Sequence, residues 1–295
     1  MKKIITFVAS LLITGLVNAA APIAKHVVFI GLDGWAASTY NSAEIPFMKK
    51  LASEGAFSNE KRAVLESSSA INWASIFMGV GPEVHGYLKW GSKTPEMKQP
   101  NGVVTENGIF PTIFQIAKKQ HPQSNIAVFY EWDGIKHLVD TLSLDSYGQY
   151  DDERLAAVAS EYFIKNKPEL TAIIFNSPDS EGHGIGWGSK EYLGMMNTID
   201  GYISAIFAGL RNAGMIDDTI VIITADHGGQ EKHHGGTSMD EVESPIIIWG
   251  KGIVPGKKIT DIIVGYDVAP TIAHILGLET PQCWRGRPIK QAFEK

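Results

Sequence analysis

The sequence predicts an α/β protein, a single large domain around a mostly parallel sheet covered by helices on both faces. Three observations carry this. Short apolar, β-branched runs alternate with segments of helical pattern along most of the chain, two of those runs end in carboxylates, and 295 residues at 44% hydrophobic content suffice for one large core. Strands separated by helices require crossover connections, which make a parallel sheet with both faces buried.

The elements follow in order. Residues 27–32 read as a strand, residues 46–53 as a helix stopped by Gly55, and a further helix begins near Ser69. Pro111 opens a helix to Lys119, residues 125–130 form a strand, and residues 153–165 a helix. Residues 171–176 are strand-like, 191–212 helical, and 220–224 and 245–249 are the last strands. Asp267 caps a final helix over 268–276, which Gly277 ends. The Gly-, Pro-, Lys- and Asn-rich stretch 90–108 reads as a long surface loop near the site.

The strand at 27–32 runs into Asp33 and the strand at 220–224 into Asp226 and His227. Strand ends are where open α/β sheets place their sites. With Asp179, His183 and one of His233 or His234, the chain offers three Asp and three His, the ligand count of a pair of zinc-like ions. Ser67, Ser68 and Ser69 stand at the start of an apolar helical pattern, where free N–H groups favour an anion; one of them could equally be an ordinary N-cap.

A net charge of −6 with scattered Lys and Arg gives no basic stripe for a nucleic-acid backbone. Lys2 and Lys3, the apolar stretch 4–17 and small residues at Ala19 and Ala20 read as a signal peptide, residues 1–20, leaving a domain over 21–295. That stretch is shorter than the roughly 20 residues of a membrane span, so the processed protein is expected to be exported, periplasmic or secreted, with no membrane span. Cys283 is the single cysteine, which excludes an intramolecular disulfide and a thiolate-rich metal site.

The chain resembles the alkaline phosphatase superfamily, in particular its branch of type I phosphodiesterases and nucleotide pyrophosphatases. The resemblance is carried in order by VVFIGLDG, IPFMKKLASEGA, SSSAINWASIFMGVGPEVHGY, SPDSEGHGIGWGS, ITADHGGQEKHHGG with ESPIIIWGKGI, and YDVAPTIAHILG. It implies a three-layer α/β/α sandwich and two divalent metal ions, zinc by expectation. It further implies Asp33, Asp226 and His227 as ligands of one ion and Asp179, His183 and His234 as ligands of the other. Ser69 becomes the nucleophile and Asn72, three residues on, a holder of the non-bridging phosphoryl oxygen. The chain departs from the branch in having Ala70 and Ile71 for the usual Phe-Pro and Trp73 after the Asn.

The activity implied is hydrolysis of a small-molecule phosphoester through a phosphoseryl or nucleotidyl-serine intermediate. Phosphomonoesterase activity on the same site and a non-catalytic metal- or phosphate-binding protein are the alternatives. A sulfatase would need Cys/Ser-x-Pro-x-Arg, which the chain lacks. None of the five arginines lies in the catalytic segments, and the neutral amide of Asn72 suits a diester, so diesters are expected over monoesters unless Arg62 or Lys232 folds into the site. Tyr130, Trp132 and Trp187 are the candidates for an apolar wall.

Overall fold

The computed structural model describes residues 21–99 and 103–294. The expected signal segment 1–20 lies outside the described residues, as do 100–102 within the 90–108 loop.

Eight strands and nine α-helices make up the regular structure of the described residues. In chain order they are β1 (His26–Leu32), α1 (Pro46–Glu54), β2 (Ala56–Arg62), α2 (Ser69–Met78), α3 (Pro82–His85), α4 (Ile113–Gln120), β3 (Ile126–Tyr130), β4 (Ser146–Gln149) and α5 (Asp152–Asn166). There follow β5 (Leu170–Phe175), α6 (Asp179–Gly184), α7 (Lys190–Asn212), β6 (Thr219–Thr224), α8 (Met239–Val242), β7 (Glu243–Gly250), β8 (Lys257–Lys258) and α9 (Val268–Leu276).

The strands form one sheet in the order β4-β3-β5-β1-β6-β7-β2-β8. β7 alone runs against its neighbours β6 and β2; the other pairings are parallel. Side chains alternate across a strand, and β1 shows the consequence. Val27 and Phe29 enter a core shared with α2, α4 and α9, whereas Val28, Ile30 and Leu32 enter a second core with α1, α5 and α7. This is the expected α/β/α sandwich.

β1 and β6 lie side by side at the centre, with Gly31 paired to Thr224, so Asp33 and Asp226 emerge together from the same end of the sheet. β5 flanks β1 on its other side and delivers Asp179 four residues past its end. Three adjacent strands thus place the three carboxylates.

Some elements differ from expectation. The α4 helix starts at Ile113 rather than Pro111, because Thr112 caps it by accepting from Gln115 N–H. Asp267 stands before α9, but its carboxylate accepts from Val264 and Arg287 N–H instead of capping the helix. β2, β4 and β8 have no counterpart in the expected strands.

Candidate active site

Asp33 is 2% exposed, Asp226 and His227 fully buried. Asp33 Oδ2 accepts from Trp73 Nε1–H at 3.0 Å, and Asp226 Oδ1 accepts from Gly34 N–H at 3.3 Å. Gly34 is left-handed (φ 70°), and a Cβ there would come within 3.0 Å of Asp179, so the second glycine of GLDG serves both the turn and the close approach of β1 to Asp179. The other oxygens, Asp33 Oδ1, Asp226 Oδ2 and Asp179 Oδ1, are buried without a hydrogen-bond partner.

The imidazoles match them. His227 Nδ1 lies 2.7 Å from Gly228 O, His234 Nδ1 3.0 Å from Ser67 O, and His183 Nδ1 3.0 Å from Lys232 O. A carbonyl can only accept, so each Nδ1 carries the hydrogen, and Nε2 is the ring nitrogen left to turn outward. Those nitrogens face carboxylates. His227 Nε2 is 3.4 Å from Asp33 Oδ1 and 3.3 Å from Asp226 Oδ2, His234 Nε2 is 3.7 Å from Asp179 Oδ1, and His183 Nε2 is 3.5 Å from Asp179 Oδ2. Burial holds His227 below the usual imidazole range, and burial with His227 beside it pushes His234 down to about 3. Protonated His227 and His234 therefore do not bridge their contacts at neutral pH.

Burial raises all three carboxyls. Asp226 is pushed up to about 7, Asp33 rises further through Asp226 and Asp179, and Asp179 rises as well. An uncompensated buried ion costs several kcal/mol, and the one buried ammonium nearby among the described residues is Lys61. Its Nζ donates to Ala225 O at 2.6 Å, and burial lowers it to about 8. Orphaned carboxylate oxygens facing bare imidazole nitrogens are the donor set of divalent cations. Two compact groups result: Asp33, Asp226 and His227, and Asp179, His227 and His234.

The first group is the expected set for one ion. In the second, His227 stands where His183 is expected. His183 sits just outside it, its ring 4.9 Å from that of His234. His233 points away, toward Glu231 and Glu241.

Ser69 is the first residue of α2, with Oγ 3.2 Å from His227 Nε2. Ser67 Oγ donates to Gly236 O and accepts from Gly235 N–H, pinning the loop that carries His234, and Ser68 Oγ is buried without a partner. Asn72 differs from expectation. Its Oδ1 accepts from Val64 N–H at 2.7 Å, and Nδ2 donates to Glu66 O, Ser68 O and Val64 O. Both ends of the amide are used in folding residues 64–68 against α2, so it does not line the site and has no free N–H for a phosphoryl oxygen.

A cavity of about 750 Å³ opens over these groups, lined by Asp33, Ser68, Ser69, Asp179, His183 and His234 together with Glu66, Leu88, Lys89, Trp90, Trp132, Asn176 and Gly235. Trp132 lies in this lining, but Tyr130 is buried in the core and Trp187 packs behind the ligands, its Nε1–H donating to Gly34 O. Arg62 pairs with Glu243 at 2.9 Å and Lys232 donates to Gly184 O; neither lines the cavity. Lys89 does.

Sequence reasoning placed Trp90 only as the start of the 90–108 loop near the site, and it missed Lys89, Lys61 and Glu241. Trp90 is 68% exposed, its carbonyl accepting from Ala70 N–H beside Ser69. Glu241 accepts from Gly236 N–H and from Ser238 N–H and Oγ–H, closing the loop after His234. Ser238-Met-Asp-Glu241 is a capping-box signature readable in the sequence. A lysine in a polar strand carries no such signal.

Fold and site together define a member of the alkaline phosphatase superfamily. Residues 27–244 match the type I phosphodiesterase / nucleotide pyrophosphatase family, and the chain belongs to it. It is 24% identical over 219 residues to ectonucleotide pyrophosphatase/phosphodiesterase family member 1 of Rattus norvegicus, covering 69% of this chain and 24% of that protein. It is 25% identical over 224 residues to the bis(5'-adenosyl)-triphosphatase enpp4 of Mus musculus, covering 72% of this chain and 48% of that one. The chain thus spans half or less of the length of these relatives. In fold it is similar to human ectonucleotide pyrophosphatase / phosphodiesterase 5, with TM-score 0.73 and 13% identity over 88% of this chain and 97% of that one. The phosphonate monoester hydrolase of Silicibacter pomeroyi shares the fold at TM-score 0.69 and 16% identity, over 91% of this chain and 76% of that one. No helix among the described residues is long and apolar enough to cross a membrane.

Proposed function

We propose that the protein is an exported phosphodiesterase of the nucleotide pyrophosphatase type, working on two divalent ions, zinc in particular, with Ser69 as nucleophile. The observation that carries this reading is the set of buried Asp oxygens without donors facing deprotonated imidazole nitrogens, with the Ser69 hydroxyl at its edge. Asp33, Asp226 and His227 would hold one ion, and Asp179, His183 and His234 the other. Bound ions of this kind lower the pKa of a coordinated hydroxyl and neutralise charge developing on phosphoryl oxygens.

The chain's own residues supply the rest. Ser69 Oγ forms a bond to phosphorus as the bond to the leaving oxygen breaks in line, its proton passing to solvent in the open cavity. Water then cleaves the Ser69 phosphoester and restores the hydroxyl; two inversions leave the configuration at phosphorus retained. The α2 N-terminus, with Ser69 as its first residue, favours the anion. Trp90, Trp132 and Leu88 offer apolar surface to the organic part of the substrate.

Diester preference rests on family membership and on the lack of any arginine among the lining residues. Lys89 in the lining supports a second reading, a phosphomonoesterase, since an ammonium suits the extra charge of a monoester dianion. The test is kcat/KM for an aryl phosphodiester against the aryl phosphomonoester, at one pH with zinc present, in the wild type and in Lys89→Met. Diester preference in both proteins is expected. A monoester preference that Lys89→Met abolishes would establish the second reading. N-terminal sequencing of the exported protein, expected to begin near residue 20 or 21, tests the signal peptide.

A further inference from the structure

Trp73 lies one helical turn beyond Ser69 on α2, on the same face, and is wholly buried. Its Nε1–H donates to Asp33 Oδ2 at 3.0 Å, which leaves Oδ1 as the oxygen facing His227. The ring cannot turn away. Phe77 stacks against it at 6.0 Å and Phe29 meets it edge-on at 6.3 Å. On its remaining side it lies against the backbone of β1, where a Cβ on Gly31 would come within 2.4 Å of its six-membered ring. Gly31 has no left-handed φ to account for it; its lack of a side chain leaves room for the indole and, beside it, for Ile174 Cδ1.

We propose that Trp73 is a positioning residue for the ion held by Asp33, Asp226 and His227, and that Gly31 is the clearance that lets it reach Asp33. The indole N–H fixes one carboxylate oxygen so that the other is presented to the metal without rotamer freedom. Because Ser69 and Trp73 share a rigid helix, the nucleophile and this ligand are set by one element. The inference rests on the two-ion reading above.

The N–H itself can be removed with little change of shape by incorporating 3-benzothienylalanine at position 73; Trp73→Phe is the encoded counterpart. Zinc binding is titrated against a chromophoric chelator in each protein, with the two dissociation constants assigned through Asp226→Ala and His234→Ala, and folding is followed by circular dichroism and Tm. Loss of a hydrogen-bond partner to a metal ligand weakens binding by about 10- to 100-fold. We expect that loss at the Asp33 ion in both position-73 proteins, with the Asp179 ion changed less than about 3-fold on the same argument. Unchanged affinity in a folded benzothienylalanine protein overturns the role of Trp73, as does equal weakening of both ions. Wild-type protein that binds no zinc overturns the two-ion reading and this inference with it.

Discussion

The two groups of ligands are built differently. Asp33, Asp226 and His227 stand just past the ends of adjacent central strands, 2% exposed or less, and their orienting partners are Trp73 on α2, Gly34 in the turn after β1 and the adjacent Gly228 carbonyl. Asp179, His183 and His234 come from a short helix and a loop, and the His183 side chain is 47% exposed. Rigid strands fix the first group, whereas loop contacts such as those of Ser67 and Glu241 hold the second. Burial removes the alternative of water as partner, so the first group depends on its cation more heavily than the second.

The sharpest way to break that contrast is to neutralise one ligand in each group. Asp226→Asn should lower kcat/KM by about 10³-fold or more, since several kcal/mol of transition-state stabilisation go with the ion. His183→Ala should cost about 10- to 100-fold and recover in part as free zinc is raised. Steady-state kinetics across a zinc series measures both, and equal, unrescued losses would erase the distinction. Removal of metal should show the same order. On addition of chelator, one ion should leave rapidly and take activity with it, and the second should leave slowly; a single exponential release of both would contradict this.

How much of this was legible in the sequence depended on what each residue faces. The runs ending at Asp33 and Asp226 were readable because central strands are apolar on both faces, and the carboxylates at their ends were conspicuous. β2, with the sequence AFSNEKR, was not. Its pattern is polar because Lys61 turns inward beneath the site, where Asp226 lies close enough to favour its charge. The reversed direction of β7 has no signature in a continuous apolar strand. Asn72 was placed correctly beside Ser69 in sequence, yet its amide turns into the 64–68 loop, since the backbone groups there need partners. The 90–108 stretch was legible as a loop near the site, but whether the side chains of Lys89 and Trp90 turn into the cavity is set by the loop's path, which no local pattern encodes.

Smaller effects separate the loop-held group from the helix beneath the buried one. Ser67→Ala removes the hydroxyl that bridges Gly235 N–H and Gly236 O, and should cost about 1 to 2 kcal/mol of stability by denaturant unfolding while weakening the His234 side of the site. Ser69→Ala should fold normally, bind metal and form no covalent phosphoenzyme. On the helix side, His85 Nδ1 accepts from Tyr87 N–H and Nε2 donates to Ser75 Oγ, tying α2 to the segment leading to Trp90. Burial pushes His85 down to about 3. With the unfolded value near 6.5, the native state binds fewer protons between these limits. The contribution is therefore complete above about pH 6.5 and is lost as pH falls toward about 3, by at most about 1.4 kcal/mol per unit. His85→Gln should flatten that part of the stability profile; an unchanged slope would remove His85 from the account.

The central claim is the pair of cation positions, and anomalous diffraction at the zinc edge from crystals grown with zinc tests it most directly. The account predicts two peaks about 3.5 to 4 Å apart, one bounded by Asp33 Oδ1, Asp226 Oδ2 and His227 Nε2 with Ser69 Oγ beside it, and the other beside Asp179, His183 and His234. No peak at these residues, or zinc bound only elsewhere on the molecule, would contradict it.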